Sequence, residues 1–299
     1  MLLNKYPIFI PSKGRADTIM TMKAFDNIGV KYSVVVEPQQ YEDYAKVIKD
    51  NEIIITPHVD KGLCVTRNFI WDYAESQGYE KFWTFDDNIL DFYRLNKNQK
   101  IKLSDGTFLR IIEDFIDRYE NVPLAGMNYD FFCKQNQKLP PYYLNTRVYS
   151  NMLINTFVKD SKGNKIRNEL FYNDDTDLCL RIMKQGYCIF QINAFLIGKA
   201  QTMTIKGGMT DYYKSKECDG RLKFAEELQK AHSDVVEVTW KFGRWHHQVD
   251  YRAFQFNKLK KKENLIIKDQ INNYGLFLKQ VSEVIDEETE PEEINEILI

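Results

Sequence analysis

The residues of this chain best suited to chemistry are two acidic runs, Asp86-Asp87-Asn88 and Asp174-Asp175-Thr176-Asp177. The first follows Phe82-Trp83-Thr84-Phe85, an apolar stretch that reads as a buried strand. A hard divalent cation takes oxygen ligands and, when it also holds a phosphate, needs only one or two carboxylates from the protein. The same residue types favour ordinary turns. The second run, preceded by Asn173, opens a helix, where acids complement the macrodipole and Asn is a good N-cap. Acids crowded this closely repel one another, which fits a site that needs a base to take the proton of an alcohol as a new bond forms. Upstream, Lys61-Gly62-Leu63-Cys64-Val65-Thr66-Arg67-Asn68 opens another helix. Arg67 in its first turn can reach a diphosphate or a base edge, helped by the helix terminus, or can lie idle on the surface. Trp240-Lys241-Phe242-Gly243-Arg244-Trp245-His246-His247 continues to Tyr251-Arg252-Ala253-Phe254 and the basic run Lys258 to Lys262. Aromatics interleaved with bases suit phosphate contacts plus base stacking, and equally a core strand flanked by solvated lysines. One of the two adjacent histidines is a candidate metal ligand.

The elements that must position these groups alternate. Strand signals at Tyr6–Pro11, Lys31–Val36, Ile53–Thr56 and Lys81–Phe85 are separated by helical patterns at Ala16–Ile28, Gln39–Asp50 and Cys64–Gln77. Gly29 and Gly78 follow two of those helices, as a C-terminal glycine does. Such alternation predicts an α/β fold with a mostly parallel sheet flanked by helices, whose ligands sit beyond the carboxyl ends of the strands. Ser12-Lys13-Gly14-Arg15, Glu37 and Asp86-Asp87-Asn88 all follow strands and should converge at that edge. Further on, Phe108–Tyr119 reads as helix, Leu124–Phe132, Tyr142–Arg147 and Asn151–Phe157 as strands, Asp174–Gln185 as helix and Tyr187–Ile192 as strand. Lys206 to Met209 reads as a flexible loop, followed by helices over 214–231 and 267–285.

The bulk composition sets bounds. From Glu283 to Ile299 the chain carries eight acids and no base, so the net charge of −2 conceals a value of +6 for residues 1–282. A basic body of that kind permits a phosphate-rich partner. Five cysteines without a C-x-x-C pair argue against a disulfide framework or zinc knuckle and for a reducing compartment. No run approaches the ~20 apolar residues of a membrane span, and the N-terminal apolar run is too short for a signal peptide. The expectation is a cytoplasmic protein with no membrane partner. We expect residues 1–235 to bind a nucleotide and carry the chemistry, 236–282 to form a basic, aromatic acceptor-binding extension, and 283–299 to be an acidic flexible tail.

Taken in order, these motifs resemble the A-type glycosyltransferases, and more closely the TET-associated glycosyltransferases of bacteriophages, over roughly residues 5–255. The narrower likeness rests on Pro11-Ser12-Lys13-Gly14-Arg15 and on Arg244-Trp245-His246-His247. The resemblance implies a Rossmann-like, mostly parallel mixed sheet with a C-terminal helical extension. It implies a UDP-sugar donor, Mn2+ or Mg2+, and transfer to the hydroxymethyl group of 5-hydroxymethylcytosine in double-stranded DNA, in the cytoplasm of the host cell; in-line attack opposite the leaving diphosphate would invert the anomeric configuration. Carried over by position, Pro11, Ser12, Lys13, Arg15 and Glu37 would surround the uridine, with Arg67 and Asn68 near the diphosphate. Asp86 would serve the ribose, and Asp87, Asn88 and His247 the metal. Asp175 would be the base, with Asp174 as second candidate. Arg244, Trp245, His246, Tyr251 and Arg252 would contact DNA. Many A-type enzymes have an acid where this chain has Asn88, a weaker metal ligand. The alternatives are transfer to a protein or glycan, a non-catalytic nucleic-acid-binding protein with a decayed donor site, and a two-metal nucleotidyltransferase, which the lone Gly14 supports poorly.

Overall fold

The computed structural model describes residues 4–134, 136–200 and 220–263. Its centre is a ten-stranded mixed sheet. The first part alternates as expected: β1 (Ile8–Pro11), α1 (Met20–Asn27), β2 (Ser33–Val36), α2 (Tyr41–Val47), β3 (Glu52–Ile55), α3 (Leu63–Ser76) and β4 (Lys81–Phe85). These strands lie in the order β3-β2-β1-β4, all parallel. Then come a hairpin of β5 (Ile89–Asn96) and β6 (Gln99–Lys102), helix α4 (Thr107–Ile116), and β7 (Leu124–Tyr129), β8 (Tyr142–Leu144) and β9 (Asn151–Asn155). Helix α5 (Asp174–Lys184) leads into β10 (Ile189–Lys199). The sheet continues from β4 as β9-β7-β10-β5-β6, with β8 also on β10. Because β9 is antiparallel to both β4 and β7, β7 runs the same way as β4, and so does β10.

Alternating side chains explain the layers. Ile8, Ile10, Trp83 and Phe85 face a core closed by Met22 and Phe25 of α1, Tyr44 of α2 and Phe108, Leu109 and Ile112 of α4. Phe9, Val35 and Phe82 face the other side, where α3 supplies Ile70, Trp71 and Ala74 and α5 supplies Leu178 and Ile182. Strands buried on both faces read as unbroken apolar runs, which is why β1 and β4 are so plain in the sequence.

Several elements differ from their sequence reading. Helix α1 starts at Met20, not Ala16, because residues 12–19 form a loop that ends with Ile19 in the left-handed region at φ 37°. The strand expected over 124–132 stops at Tyr129, where Asp130–Phe132 make a turn of 3-10 helix. Strand β10 runs past Ile192 to Lys199 after a register shift, pairing first with β8 and then with β5. Beyond helix α6 (Gly220–Ala231), the aromatic and basic segment is a two-stranded hairpin, β11 (Val236–Lys241) and β12 (Arg244–Val249). Its turn is Phe242-Gly243, both with positive φ, as a tight two-residue connection requires. The chain then returns along the sheet, where Glu120 donates to the Lys260 carbonyl at 2.9 Å. The loop over 206–209, the start of the helix expected from 214, Cys218, the helix over 267–285 and the acidic tail lie outside the described residues. No described helix is long and apolar enough to cross a membrane.

Candidate functional site

The carboxyl ends of β1, β2, β4 and β10 and the N-termini of α3 and α5 meet at one edge of the sheet, and the ionisable groups singled out above divide there into two linked clusters. At the first, Ser12 follows β1 and donates to Asp87 Oδ2 at 2.7 Å, while Arg15 holds Asp87 Oδ1. The Tyr44 hydroxyl is 2.6 Å from Ser12 Oγ and accepts the Arg15 amide at 3.2 Å. Lys13 pairs with Glu37 at 2.7 Å and with Asp60, and Glu37 accepts the Asp60 amide at 3.0 Å. Pro11 closes β1 beneath this loop. Burial raises the Asp87 carboxyl, against the opposing charge of Arg15.

The second cluster is built around Arg67, only 5 % exposed on the first turns of α3. Its guanidinium donates to Asp86 Oδ1 at 2.7 Å and to Asp174 Oδ2 at 2.5 Å, so it bridges β4 and α5. The other Asp86 oxygen accepts from Lys199, the last residue of β10, at 2.7 Å. Lys199 also donates to Ser150, which lies 2.7 Å from the Tyr129 hydroxyl. Thr21 fixes the turn itself, donating to the Asp86 carbonyl at 2.6 Å and accepting from the Ile89 amide at 2.9 Å. Burial alone would raise Asp86, but Lys199 and Arg67 outweigh it and hold the carboxyl well below the usual range.

Asp174 and Asp175 behave differently. Burial raises Asp174 despite Arg67. Burial, followed by the charge of Asp174, pushes Asp175 up to about 7. Asp175 Oδ1 accepts the Thr176 amide at 2.7 Å. Asp177 turns away, accepting from Arg181 at 2.9 Å, lying 2.8 Å from His232 Nε2, and accepting the Glu169 amide at 3.3 Å. It anchors α5, leaving the other two acids in the site. Asn68 also points elsewhere, donating to the Asn168 carbonyl at 2.8 Å.

The remaining candidates lie on or after the hairpin. Trp245 packs edge-on against Trp240 with centroids 5.2 Å apart, and Arg244 donates to His246 at 2.9 Å. Phe242 at the tip is 92 % exposed. Arg252 pairs with Asp250 through two hydrogen bonds of 2.8 Å. Burial, then Arg147 and His246, lowers His247 to about 4, so its imidazole is neutral at physiological pH.

The divalent cation implied by the resemblance does not fit this donor set. Both Asp86 oxygens hold cations, and both Asp87 oxygens are taken by Arg15 and Ser12. Among the described residues no three His, Cys, Asp or Glu side chains group so as to hold a metal. Of the residues that the resemblance assigns to the metal, Asn88 offers one oxygen, Oδ1, buried without a partner among the described residues. A single amide oxygen is too few ligands for Mn2+ or Mg2+. Lys199, Ser150, Tyr129, Thr21 and Tyr44 are site residues that sequence reading did not single out. Lys199 alone had a signal, as a lone base closing the apolar run Ala194 to Gly198.

Among known proteins, a family model described as TET-Associated Glycosyltransferase matches residues 6–208, more than half of the chain. Among solved structures, a protein from Desulfovibrio desulfuricans G20, provisionally titled a nucleotide-diphospho-sugar transferase, superposes with a TM-score of 0.40 at 9 % identity. That superposition covers 76 % of this chain and 98 % of the other. No curated protein sequence matches significantly.

Proposed function

Because the chain belongs to the TET-associated glycosyltransferases, we propose that it moves a sugar from a UDP-sugar to the hydroxymethyl oxygen of 5-hydroxymethylcytosine in double-stranded DNA. The observation that carries this reading is the Arg67 bridge. It joins the acid at the end of β4 to the acids opening α5, so a donor site and a base belong to one cluster. In this reading Pro11, Ser12, Lys13, Arg15, Glu37 and Asp87 surround the nucleoside. Arg67 and Lys199 face the diphosphate, and their positive charge meets the charge that develops as it departs.

Asp175 is the base. A carboxylate raised towards neutrality accepts a proton more readily than an ordinary one, and still ionises at working pH. The hydroxymethyl oxygen attacks C1 of the sugar, the C1–O bond to the diphosphate breaks, and UDP leaves with the electron pair. The hydroxyl proton passes to Asp175. Attack from the face opposite the diphosphate inverts the anomeric configuration.

The test is to incubate the protein with 5-hydroxymethylcytosine DNA and a panel of UDP-sugars, with Mn2+ and separately with a chelator, and to weigh the digested nucleosides. One glycosyl unit gained on the modified nucleoside, and lost in Asp175→Ala, is the expected outcome. Free UDP without a heavier nucleoside would move the acceptor to a protein or glycan. Neither product would leave nucleic-acid binding alone. Chelation reads any metal requirement separately, and NMR of the product reads the anomeric outcome.

A further inference from the structure

A cleft of about 700 Å3, lined by none of the residues of either cluster, is linked to the second cluster through the rings of Tyr149 and Tyr129. Its walls are the turn after β7, which carries Phe132, the segment from Tyr143 to Arg147, and the helical turn Tyr251–Phe254. Asn145 ties two of these walls together, donating to the Phe254 and Asn257 carbonyls at 3.0 Å each.

Three groups on the walls can still meet a ligand. Arg147 is half-buried, its guanidinium 5.6 Å from the Phe132 ring and 5.1 Å from the Tyr149 ring, with no ion pair among the described residues. The Tyr251 hydroxyl is buried without a hydrogen-bond partner among them. Phe132 is 43 % exposed, although it stacks on Tyr129 at 5.7 Å and 15°. The same rings lead into the catalytic cluster. Tyr149 lies 6.2 Å from Tyr129, and Lys199 sits 5.6 Å over the Tyr129 ring. Burial chiefly, and Asp175 among the lesser causes, raises the hydroxyls of Tyr149 and Tyr251, so both sense the proposed base.

We propose that this cleft receives the acceptor as a single unstacked nucleotide, so that the enzyme turns 5-hydroxymethylcytosine out of the duplex instead of reaching it in the major groove. The inference rests on the function proposed above and specifies how that site takes its acceptor. The volume is that of a pocket for one small ligand, not for a stretch of duplex. An exposed aromatic ring offers a stacking face for a base of any sequence. An unpaired guanidinium beside it suits a phosphate or the polar edge of a base. The unpartnered Tyr251 hydroxyl and the amides of Gln137 and Gln255 supply further polar partners for a flipped pyrimidine.

Flipping carries an unpairing cost that is smallest for a mispaired base. The experiment therefore compares kcat/KM for one 5-hydroxymethylcytosine in a matched duplex and opposite an abasic site. A rise of about tenfold or more on the abasic partner is expected. Phe132→Ala and Arg147→Gln should each lower kcat/KM on matched duplex about tenfold or more, with folding checked by circular dichroism. A fluorescent cytosine analogue at the target position should brighten on binding to the parent protein and not to Phe132→Ala. Equal rates on the two duplexes, with no brightening, would overturn the cleft while leaving the transferase reading intact. No transfer to any DNA would remove both.

Discussion

At the scale of single residues, the site depends on acids held in opposite states. Asp86, flanked by two cations, stays ionised, whereas Asp175 is raised to about 7 by burial and by Asp174. The proposed base must be ionised to work, so kcat/KM should climb as pH rises through about 7 and level above it, in a profile measured with saturating donor. Asp175→Asn should remove roughly 10²–10⁴ of the rate, the usual range for a positioned base. The same variant should be more stable than the parent at pH 8 but not at pH 4. The sign follows because the folded pKa is raised: the folded state disfavours the ionised form, and that penalty grows as pH rises from the unfolded value through about 7. Urea titrations at the two pH values would check it. Arg67 is the opposite case, a buried cation between the buried Asp174 and the partly buried Asp86. Arg67→Ala should cost about 3–5 kcal/mol of unfolding free energy by leaving both acids uncompensated. Arg67→Lys should restore charge without the two-pronged geometry, recovering stability better than turnover.

At the scale of elements, positions depend on backbone features that sequence shows unevenly. Gly62, at the N-cap of α3, has φ +89°, and an added Cβ would lie 2.2 Å from Phe171. Gly62→Ala should therefore lower stability by about 1–3 kcal/mol and reduce turnover further by shifting Arg67, as thermal melting and initial rates would reveal. Strands β1 and β4 were legible because both of their faces are buried and large apolar residues dominate them, with Lys81 and Thr84 the exceptions in β4. The polar groups after them were legible for the same reason: a strand's end is sharp when the apolar run is sharp. Strand β10 was cut short at Ile192 because Asn193 breaks its apolar run. That asparagine is buried, accepting from Asn128 at 3.0 Å and donating to the Pro140 carbonyl at 2.9 Å, a long-range pairing no local pattern records. Losing that half-strand hid Lys199. The acids opening α5 could be located but not apportioned. Only the fold reveals that Asp177 belongs to His232 and Arg181 while its neighbours face the site.

At the scale of the whole molecule, the basic hairpin is the expected contact with a long polyanion. Affinity for duplex DNA should fall steeply with salt, and Arg244→Glu should weaken binding and flatten the log-log slope by about one phosphate contact. Phe242→Ala at the exposed tip should leave the melting temperature unchanged and cost about 1–3 kcal/mol of DNA binding, the worth of one base stacked on its ring. Filter binding across a salt series would measure both.

Strand β9 has a consequence for how the protein is made. It alone joins β4 to β7, and Ser150, just before it, accepts the Asp86 amide at 2.7 Å. During synthesis the N-terminal units of parallel strand and helix can assemble as they emerge, since their contacts are close in sequence. The two halves of the sheet can join only after residue 155 has left the ribosome, and Lys199 can reach Asp86 only later still. A nascent chain halted before that point leaves Asp86 without its second cation, so the second cluster is completed in one late step and not by degrees.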